Sequence, residues 1–168
     1  MKNDFFLSQD VVDLVGIDPI YLNTLAHRKD YQIKASISES VGQKKLRVFS
    51  KADVYGIALV WMLFECGLRM QTIKEVLMNL VDTDRPDANA AAEYLSEPGR
   101  AHLVIIRESR RRKKKAIHKL RVIPVMTDLL LNQVAESVQE HPAANILLVP
   151  VGAKFAEIEE KIAARCGE

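Results

Sequence analysis

The sequence predicts a protein of the α+β class, with a mostly helical N-terminal part and a C-terminal part of order ββαβα. Helix-capping signals recur through the first 80 residues. A stretch of alternating apolar and polar residues interrupts them, and alternation returns after about residue 100. We therefore expect one domain over 1–80, a linker with a short helix over 81–99, and a small α/β regulatory or assembly domain over 100–168.

The first two predicted helices are short and lie on either side of a glycine. Ser8 is placed to cap a helix from Gln9 to Val15, and Gly16 ends it. Asp18 then caps a second helix, from Pro19 to Arg28, that has proline at its first position. Two helices joined by a tight turn form the outline of a helix-turn-helix, whose second helix would carry the base-reading side chains.

The next segment, between residues 31 and 49, alternates apolar and polar residues around a turn near Ser40, Val41 and Gly42. This pattern predicts a β-hairpin with a basic tip. A capped helix follows up to Gly67, with Ser50 and Asp53 spaced as a capping box. Apolar residues cover every side of this helix, so we expect it to pack against two partners.

A helix from Met70 to Leu80 comes next, with apolar residues on one face, and a polar break follows it over 81–89. An alanine-rich helix is expected from Ala88 to Leu95. Further on, we expect strands at His102–Glu108 and Ala116–Val125 with the basic run between them as their turn. The remaining predicted elements are a helix over Asp128–Glu140 capped by Thr127, a buried strand over Asn145–Val151 and a helix over Ala153–Arg165.

Positive charge is concentrated in two segments, although the formal net charge is only +2. Residues 26–51 hold seven lysines and arginines against two acids, and residues 100–121 hold ten against one. Such patches are the electrostatic footprint of a polyanion-binding surface, and a solvated surface is the alternative. The run Arg110, Arg111, Arg112, Lys113, Lys114, Lys115 is therefore a possible additional nucleic-acid contact.

No recognisable catalytic or metal-binding motif is present. The two cysteines are a hundred residues apart, the four histidines are scattered, and neither G-x-S-x-G nor H-E-x-x-H occurs. We therefore expect no enzyme activity, no metal and no cofactor. The sequence also lacks a spanning segment and a signal-like start, which favours a cytoplasmic protein without a membrane partner.

The order of these elements, with the motifs R-V-F-S-K-A-D-V and C-G-L-R-M-Q-T-I-K-E-V-L, resembles the winged helix-turn-helix domain of the MerR family of transcriptional regulators. The resemblance covers about Phe6 to Leu80. The matching residues are Val15, Gly16, Ile17, Pro19, Leu22, Arg47, Phe49, Ser50, Asp53, Gly67, Ile73 and Leu77. It implies binding of double-stranded DNA and regulation of transcription.

The chain departs from the family pattern in three places. The family's second helix usually continues with arginine, two aromatics and glutamate, whereas this chain has Asn23, Thr24, Leu25 and Ala26 there. Buried positions normally alternate with charged ones in the helix after the wing, but here apolar residues occupy many of the charged positions. Family dimers are held by a long coiled-coil helix, and the break after Val81 interrupts any such helix.

Candidate residues follow from the pattern of helices and charges and from the resemblance. Those expected to contact DNA are Tyr21, Asn23, Thr24, His27 and Arg28 on the second helix, and Lys44, Lys45 and Arg47 on the hairpin. An ordinary polar surface is the alternative. Because operator binding normally uses two half-sites, we expect a homodimer. Its assembly interface, or a surface covered by the C-terminal domain, would be formed by Leu59, Trp61, Met62 and Phe64.

Two further functions use the same fold. One is a DNA-architectural accessory factor of the excisionase or packaging type, which bending assays would distinguish. The other is a protein-interaction adaptor that has lost its DNA contacts, an alternative favoured by the unusual residues from Asn23 to Ala26. The DNA target, the direction of regulation and any small-molecule effector are not encoded in a recognisable motif.

Overall fold

The protein belongs to the α+β class. The computed structural model describes residues 5–27, 31, 33, 35, 37–41, 44–97, 100, 102–112, 115–140 and 144–166. Only the backbone is described for 37–41, 44–45, 109–112, 115–119 and 166. Over these ranges the chain forms seven helices and two three-stranded antiparallel sheets. No helix in the described ranges is long and apolar enough to cross a membrane.

The elements follow one another in an order close to the one expected. The first half contains β1 (Phe5–Leu7), α1 (Ser8–Val15), α2 (Pro19–His27), β2 (Ile37–Val41), β3 (Lys44–Ser50), α3 (Lys51–Glu65) and α4 (Met70–Val81). It is followed by α5 (Ala88–Ser96), β4 (His102–Arg112), β5 (Lys115–Val125), α6 (Leu130–Glu140), β6 (Asn145–Val149) and α7 (Val151–Cys166). The strand orders are β1-β3-β2 and β5-β4-β6.

Local capping explains where the first two helices begin and end. The prediction that Ser8 caps α1 was wrong, because the helix already begins at Ser8 and the Asp10 carboxylate accepts the Leu7 N–H at 2.8 Å. Gly16 ends α1 with a φ of 77°, a conformation that glycine adopts without steric cost. The predicted cap of α2 is confirmed, since Asp18 Oδ1 accepts the N–H groups of Ile20 and Tyr21.

The predicted hairpin is formed by β2 and β3, whose register pairs Val41 with Lys44 and Ile37 with Val48. The sequence did not predict β1, a strand of three residues that pairs with the other side of β3. Phe6 of β1 lies opposite Phe49, and both side chains are buried. The hairpin is thereby tied to the core beneath the first helices.

Helix α3 lies at the centre of the core. Its predicted capping box is confirmed: Ser50 Oγ accepts the Asp53 N–H at 3.2 Å, and Asp53 Oδ2 accepts the Ser50 N–H at 2.8 Å. Residues on all sides of the helix are buried, as expected for a helix with more than one packing partner. The buried residues are Asp53, Val54, Gly56, Ile57, Ala58, Leu59, Val60, Met62 and Leu63.

The helix expected in the linker packs directly on α3. A Cβ atom added at Gly56 would lie 2.3 Å from Asn89 Oδ1 and 3.2 Å from the backbone of Ala88, so a side chain there would displace the Asn89 amide and push against α5. Asn89 Nδ2 donates to the buried Asp53 Oδ1 at 2.8 Å. The main core therefore runs through the segment 88–96 and continues into β4, β6 and α7.

In the second sheet, β4 is central and carries apolar side chains on both faces. Leu103 and Ile105 belong to the main core, whereas Val104 and Ile106 form a smaller cluster with Val125 beneath α6. Each cluster packs on a different face of this strand. Apolar residues are therefore required at successive positions, which accounts for the uninterrupted apolar run from 103 to 106.

Three details of the C-terminal prediction were wrong. The basic run is not simply a turn, because β4 extends to Arg112 and β5 begins at Lys115. Thr127 does not cap a helix at Asp128: residues 127–129 form a turn, and α6 begins at Leu130. The strand β6 ends at Val149 and is an edge strand with Leu148 41% exposed, not a fully buried strand.

Candidate nucleic-acid interface

Helix α2 is fixed to the protein on one side and exposed on the other. Leu22 and Leu25 are buried in the main core. On the opposite side Asn23 and His27 are exposed and Ile20 is 77% exposed, with spacings of three and four residues that align them in one stripe. This stripe of Ile20, Asn23 and His27 is named the exposed face of α2.

Arg47 of β3 connects the hairpin to this face. Its Nη1 donates to Asn23 Oδ1 at 2.8 Å, and its Nη2 lies 2.9 Å from His27 Nε2. His27 Nδ1 lies 2.7 Å from the backbone oxygen of Asn23, which can only accept. The proton of that contact is therefore assigned to Nδ1, and Nε2 is assigned as the acceptor from Arg47.

An open groove of about 220 Å³ lies beside the Arg47 bridge, at the junction of α1, α2 and β3. Its lining residues are Ser8, Gln9, Val12, Pro19, Leu22, Asn23 and Arg47. The sequence did not single out Ser8 or Gln9 as part of a site. Their proximity to Arg47 depends on the packing of α1 against β3, which leaves no local pattern in the sequence.

Thr24 and Tyr21 are placed differently from the exposed face. Thr24 is half-buried, and its hydroxyl donates to the Ile20 carbonyl at 2.9 Å. The ring of Tyr21 lies 5.1 Å from Trp61 and 4.6 Å from Phe64 between centroids, and its hydroxyl donates to Met70 Sδ. The structure therefore joins Tyr21 to α3 and α4 and does not bring it together with Asn23 and His27.

The remaining candidates on the basic segments are only partly described. Arg28, Lys113 and Lys114 lie outside the described residues, while Lys44 and Lys45 are described as backbone within β3. The backbones of Arg110, Arg111 and Arg112 lie in β4, and that of Lys115 begins β5. The contact between Arg47 and α2 is thus the part of the expected site whose side-chain geometry is visible.

The residues expected at an assembly interface are covered to different degrees by the chain itself. Leu59 is fully buried and Met62 is 9% exposed, so both are core residues in this structure, with no surface for a second copy. Trp61 is half-buried and stacks with Phe64, which is 38% exposed. Cover for α3 comes from α5 and α7, in part through the contact of Tyr55 with Phe155.

Three side chains with shifted pKa values lie on α3, immediately after α3, and on α7. Burial, followed by the hydrogen bond to Glu159 and its charge, raises the pKa of Tyr55. Burial and the nearby Glu65 raise the pKa of the exposed Cys66. Hydrogen bonds from Lys161 and Lys154 lower the pKa of Glu157. Within the described ranges, no three His, Cys, Asp or Glu side chains are grouped as a metal site requires.

Comparison of the sequence with protein-family models and with curated proteins finds no match. The functional assignment therefore depends on the geometry of α2, the hairpin and the basic segments.

Proposed function

We propose that the protein binds double-stranded DNA in a sequence-specific manner and acts as a MerR-like transcriptional regulator. In this proposal α1 and α2 are the helix-turn-helix, and the hairpin of β2 and β3 is the wing. The observation that carries the proposal is the bridge from Arg47 to Asn23 and His27. It places a cation of the wing at the edge of the exposed face of α2, where a DNA backbone would run beside a helix in the major groove.

The bridge also supplies a mechanism for coupling backbone contact to base reading. In the free protein, the guanidinium of Arg47 donates a hydrogen bond to the side-chain oxygen of Asn23. A phosphate is a stronger acceptor than a neutral amide because the hydrogen bond is then assisted by opposite charges. Transfer of Arg47 to a phosphate would release the Asn23 amide, which can pair with both the N6 and N7 atoms of adenine. Ile20 would contact a thymine methyl group.

The segment 100–168 is proposed to regulate or assemble the DNA-binding part. It is connected to that part through α7: Arg165 binds Asp10 and Asp13 of α1 at 2.7 and 3.0 Å, and Lys161 Nζ donates to the Leu14 carbonyl. A change in the second sheet would be transmitted to α1 through these contacts. A homodimer is proposed because two half-sites give a DNA complex both affinity and symmetry.

The proposal is tested by selecting bound fragments from the genome that encodes the protein, followed by gel-shift titration of the best fragment. Asn23→Ala should weaken binding by about 1–3 kcal/mol, a factor of roughly 5–150, and should relax the preference for one base pair. Arg47→Gln should weaken binding of unrelated duplexes, and of the selected fragment less, because the Asn23 amide is then already released from the bridge; it should reduce the salt-dependence slope by about 1.

Asn79→Ala is the matched control, because Asn79 is an exposed asparagine on α4 whose amide donates only to the Glu75 carbonyl of its own helix among its described contacts. It should bind as the unmodified protein does. Failure to bind any duplex, or equal binding by the Asn23→Ala, Arg47→Gln and Asn79→Ala proteins, would refute the assignment.

The exposure of Ile20 supports a second candidate function, that of a protein-interaction adaptor. Ile20 is 77% exposed on the exposed face of α2, where it is accessible to an apolar residue of a protein partner. An empty fragment selection favours the adaptor, and Ile20→Asp should then abolish binding to that partner. If the selection yields a DNA fragment and Ile20→Asp weakens binding to it, the result favours the transcriptional regulator.

A further inference from the structure

The second sheet ends in a two-stranded ribbon. Strands β4 and β5 pair from His102 opposite Val125 to Arg112 opposite Lys115, but β6 pairs only with residues 103–107 of β4. Five further residue pairs, from Glu108 opposite Lys119 to Arg112 opposite Lys115, therefore lie beyond the third strand. At about 3.3 Å per residue this ribbon is roughly 16 Å long.

The base of the ribbon is anchored in the protein. Leu120 and Val122 of β5 pack against the main core, and β5 lies against α4. On the neighbouring strand Ile105 and Ile106 are buried on opposite faces of the sheet. The ribbon is therefore an extension of a packed sheet, so its direction is fixed by the fold.

The sequence of the ribbon is strongly basic. Its described strands contain the cationic residues Arg110, Arg111, Arg112, Lys115 and Lys119, with Glu108 as their acid. So many like charges on ten residues repel one another, and that repulsion is relieved when a polyanion binds. Ordinary protein surfaces mix charges of both signs, whereas the sequence of this ribbon has five cations and one acid.

The dimensions and composition favour duplex DNA as the polyanion. Duplex DNA carries one negative charge per about 1.7 Å of its axis, so a basic ribbon roughly 16 Å long can lie beside several phosphates. Single-stranded nucleic acid is usually held by aromatic side chains that stack on its bases. The ribbon sequence contains no aromatic residue at 108–112 or 115–119 apart from the imidazole of His118.

We propose that the ribbon of residues 108–112 and 115–119 is a second contact to duplex DNA, separate from α2 and the wing. It binds phosphates along the duplex and so contributes affinity and a longer contacted length, but little sequence choice. This inference rests on the proposed function, because it assigns the ribbon to the same duplex that α2 reads.

The experiment measures fluorescence anisotropy with a labelled duplex of random sequence, about three helical turns (~30 base pairs) long, over a series of salt concentrations. Arg110→Gln with Arg112→Gln removes two ribbon charges. Arg69→Gln with Arg85→Gln is the matched control, since both arginines are exposed, and one lies just before α4 and the other in the segment after it. Circular dichroism and thermal unfolding of each variant establish that the fold is kept.

The ribbon variant should reduce the slope of log K against log salt by about 1.8 and lower affinity at 0.1 M salt by roughly 60-fold, because each lost phosphate contact removes about 0.9 of slope. The control should change neither quantity beyond the effect of net charge. A ribbon variant that matches the control, or a single strand of the same sequence bound as tightly as the duplex, would overturn the proposal.

Failure of the two proposals can be told apart by adding the Asn23→Ala protein to the series with a selected fragment. If the base preference depends on Asn23 while the ribbon variant keeps its full slope, α2 reads DNA and the ribbon proposal is wrong. If the ribbon variant loses slope while Asn23→Ala keeps every base preference, the assignment of α2 is wrong. If no duplex is bound, both proposals fail.

Discussion

Helices α6 and α7 cover opposite faces of the same sheet, but they are attached to the protein in different ways. Val151, Phe155 and Ile158 of α7 are buried in the main core at spacings of four and three residues. In α6 the buried residue is Ser137, while Leu131 is 82% exposed and Val138 is 51% exposed. Equal positions beside a sheet therefore do not mean equal contributions to stability, because local stability follows the apolar contacts each element makes.

The sharpest test of this difference uses two adjacent isoleucines of β4 that point to opposite faces. Ile105, on the α7 side, is 2% exposed, and Ile106, on the α6 side, is 1% exposed. Ile105→Ala should cost about 4 kcal/mol and Ile106→Ala about 2 kcal/mol in the free energy of unfolding, because α6 can settle into the cavity more readily than the main core. Urea denaturation measures both values, and equal losses would contradict the contrast between the faces.

A smaller effect is expected at the contact between α7 and α3. Tyr55 donates to Glu159, which also pairs with Lys51 at 2.6 Å, and the pKa of Tyr55 is raised above its ordinary value of 10.0. Because the pKa is raised in the folded state, this hydroxyl contributes fully to the free energy of unfolding below pH 10. The contribution is lost as the pH rises above 10, since the tyrosine of the unfolded chain then releases its proton before that of the folded chain does.

Tyr55→Phe should therefore cost about 1 kcal/mol at neutral pH and should weaken the loss of stability above pH 10. Thermal unfolding between neutral pH and the onset of alkaline denaturation provides the measurement. Tyr94→Phe serves as the control, because it removes the hydroxyl of another half-buried tyrosine, on α5. If stability still falls above pH 10 in the Tyr55→Phe protein but not in the Tyr94→Phe protein, Tyr55 is not the cause of the alkaline loss of stability.

The smallest effect concerns the ion pairs of the two helices. Arg165 of α7 contacts both Asp10 and Asp13 of α1, whereas Arg121 approaches Glu140 of α6 only to 3.9 Å. Arg165→Gln should cost about 0.5–1 kcal/mol, and Arg121→Gln close to zero, because both sites are partly exposed and single surface pairs contribute little. Raising the salt concentration should reduce the loss of stability caused by Arg165→Gln. A loss that does not depend on salt would indicate that Arg165 contributes through packing and not through its charge.

The features that could be predicted from sequence are those set by neighbouring residues. Ser50 and Asp53 at α3, and Asp18 at α2, lie within one helical turn of the N–H groups they accept from, so their patterns are visible in the sequence. Ser8 and Thr127 misled the prediction because competing local arrangements, a strand before α1 and a turn before α6, displaced each helix start.

Features set by distant residues could not be predicted in the same way. The approach of Asn89 to Gly56, the pairing of β1 with β3 and the position of Arg47 over Asn23 each join separate parts of the chain. The candidate site shows both cases: the exposed polar positions of α2 follow from its period, but the bridge that links them to the hairpin depends on tertiary packing. Tyr21 lies on the same helix and follows the same period, but its contacts with Trp61 and Phe64 depend on tertiary packing and could not be predicted from that period.

The contacts of α7 with α1 also have a consequence for the order of events during synthesis. Arg165 and Asp10 are 155 positions apart, so α1 cannot acquire this partner until nearly the whole described chain has been made. At about 5–20 residues per second, the ribosome needs roughly 8–30 s to cover that interval. During this time the nascent first helix carries Asp10 and Asp13 without the cation of α7, although α2, β3 and α3, which contact the same helix, have already been made.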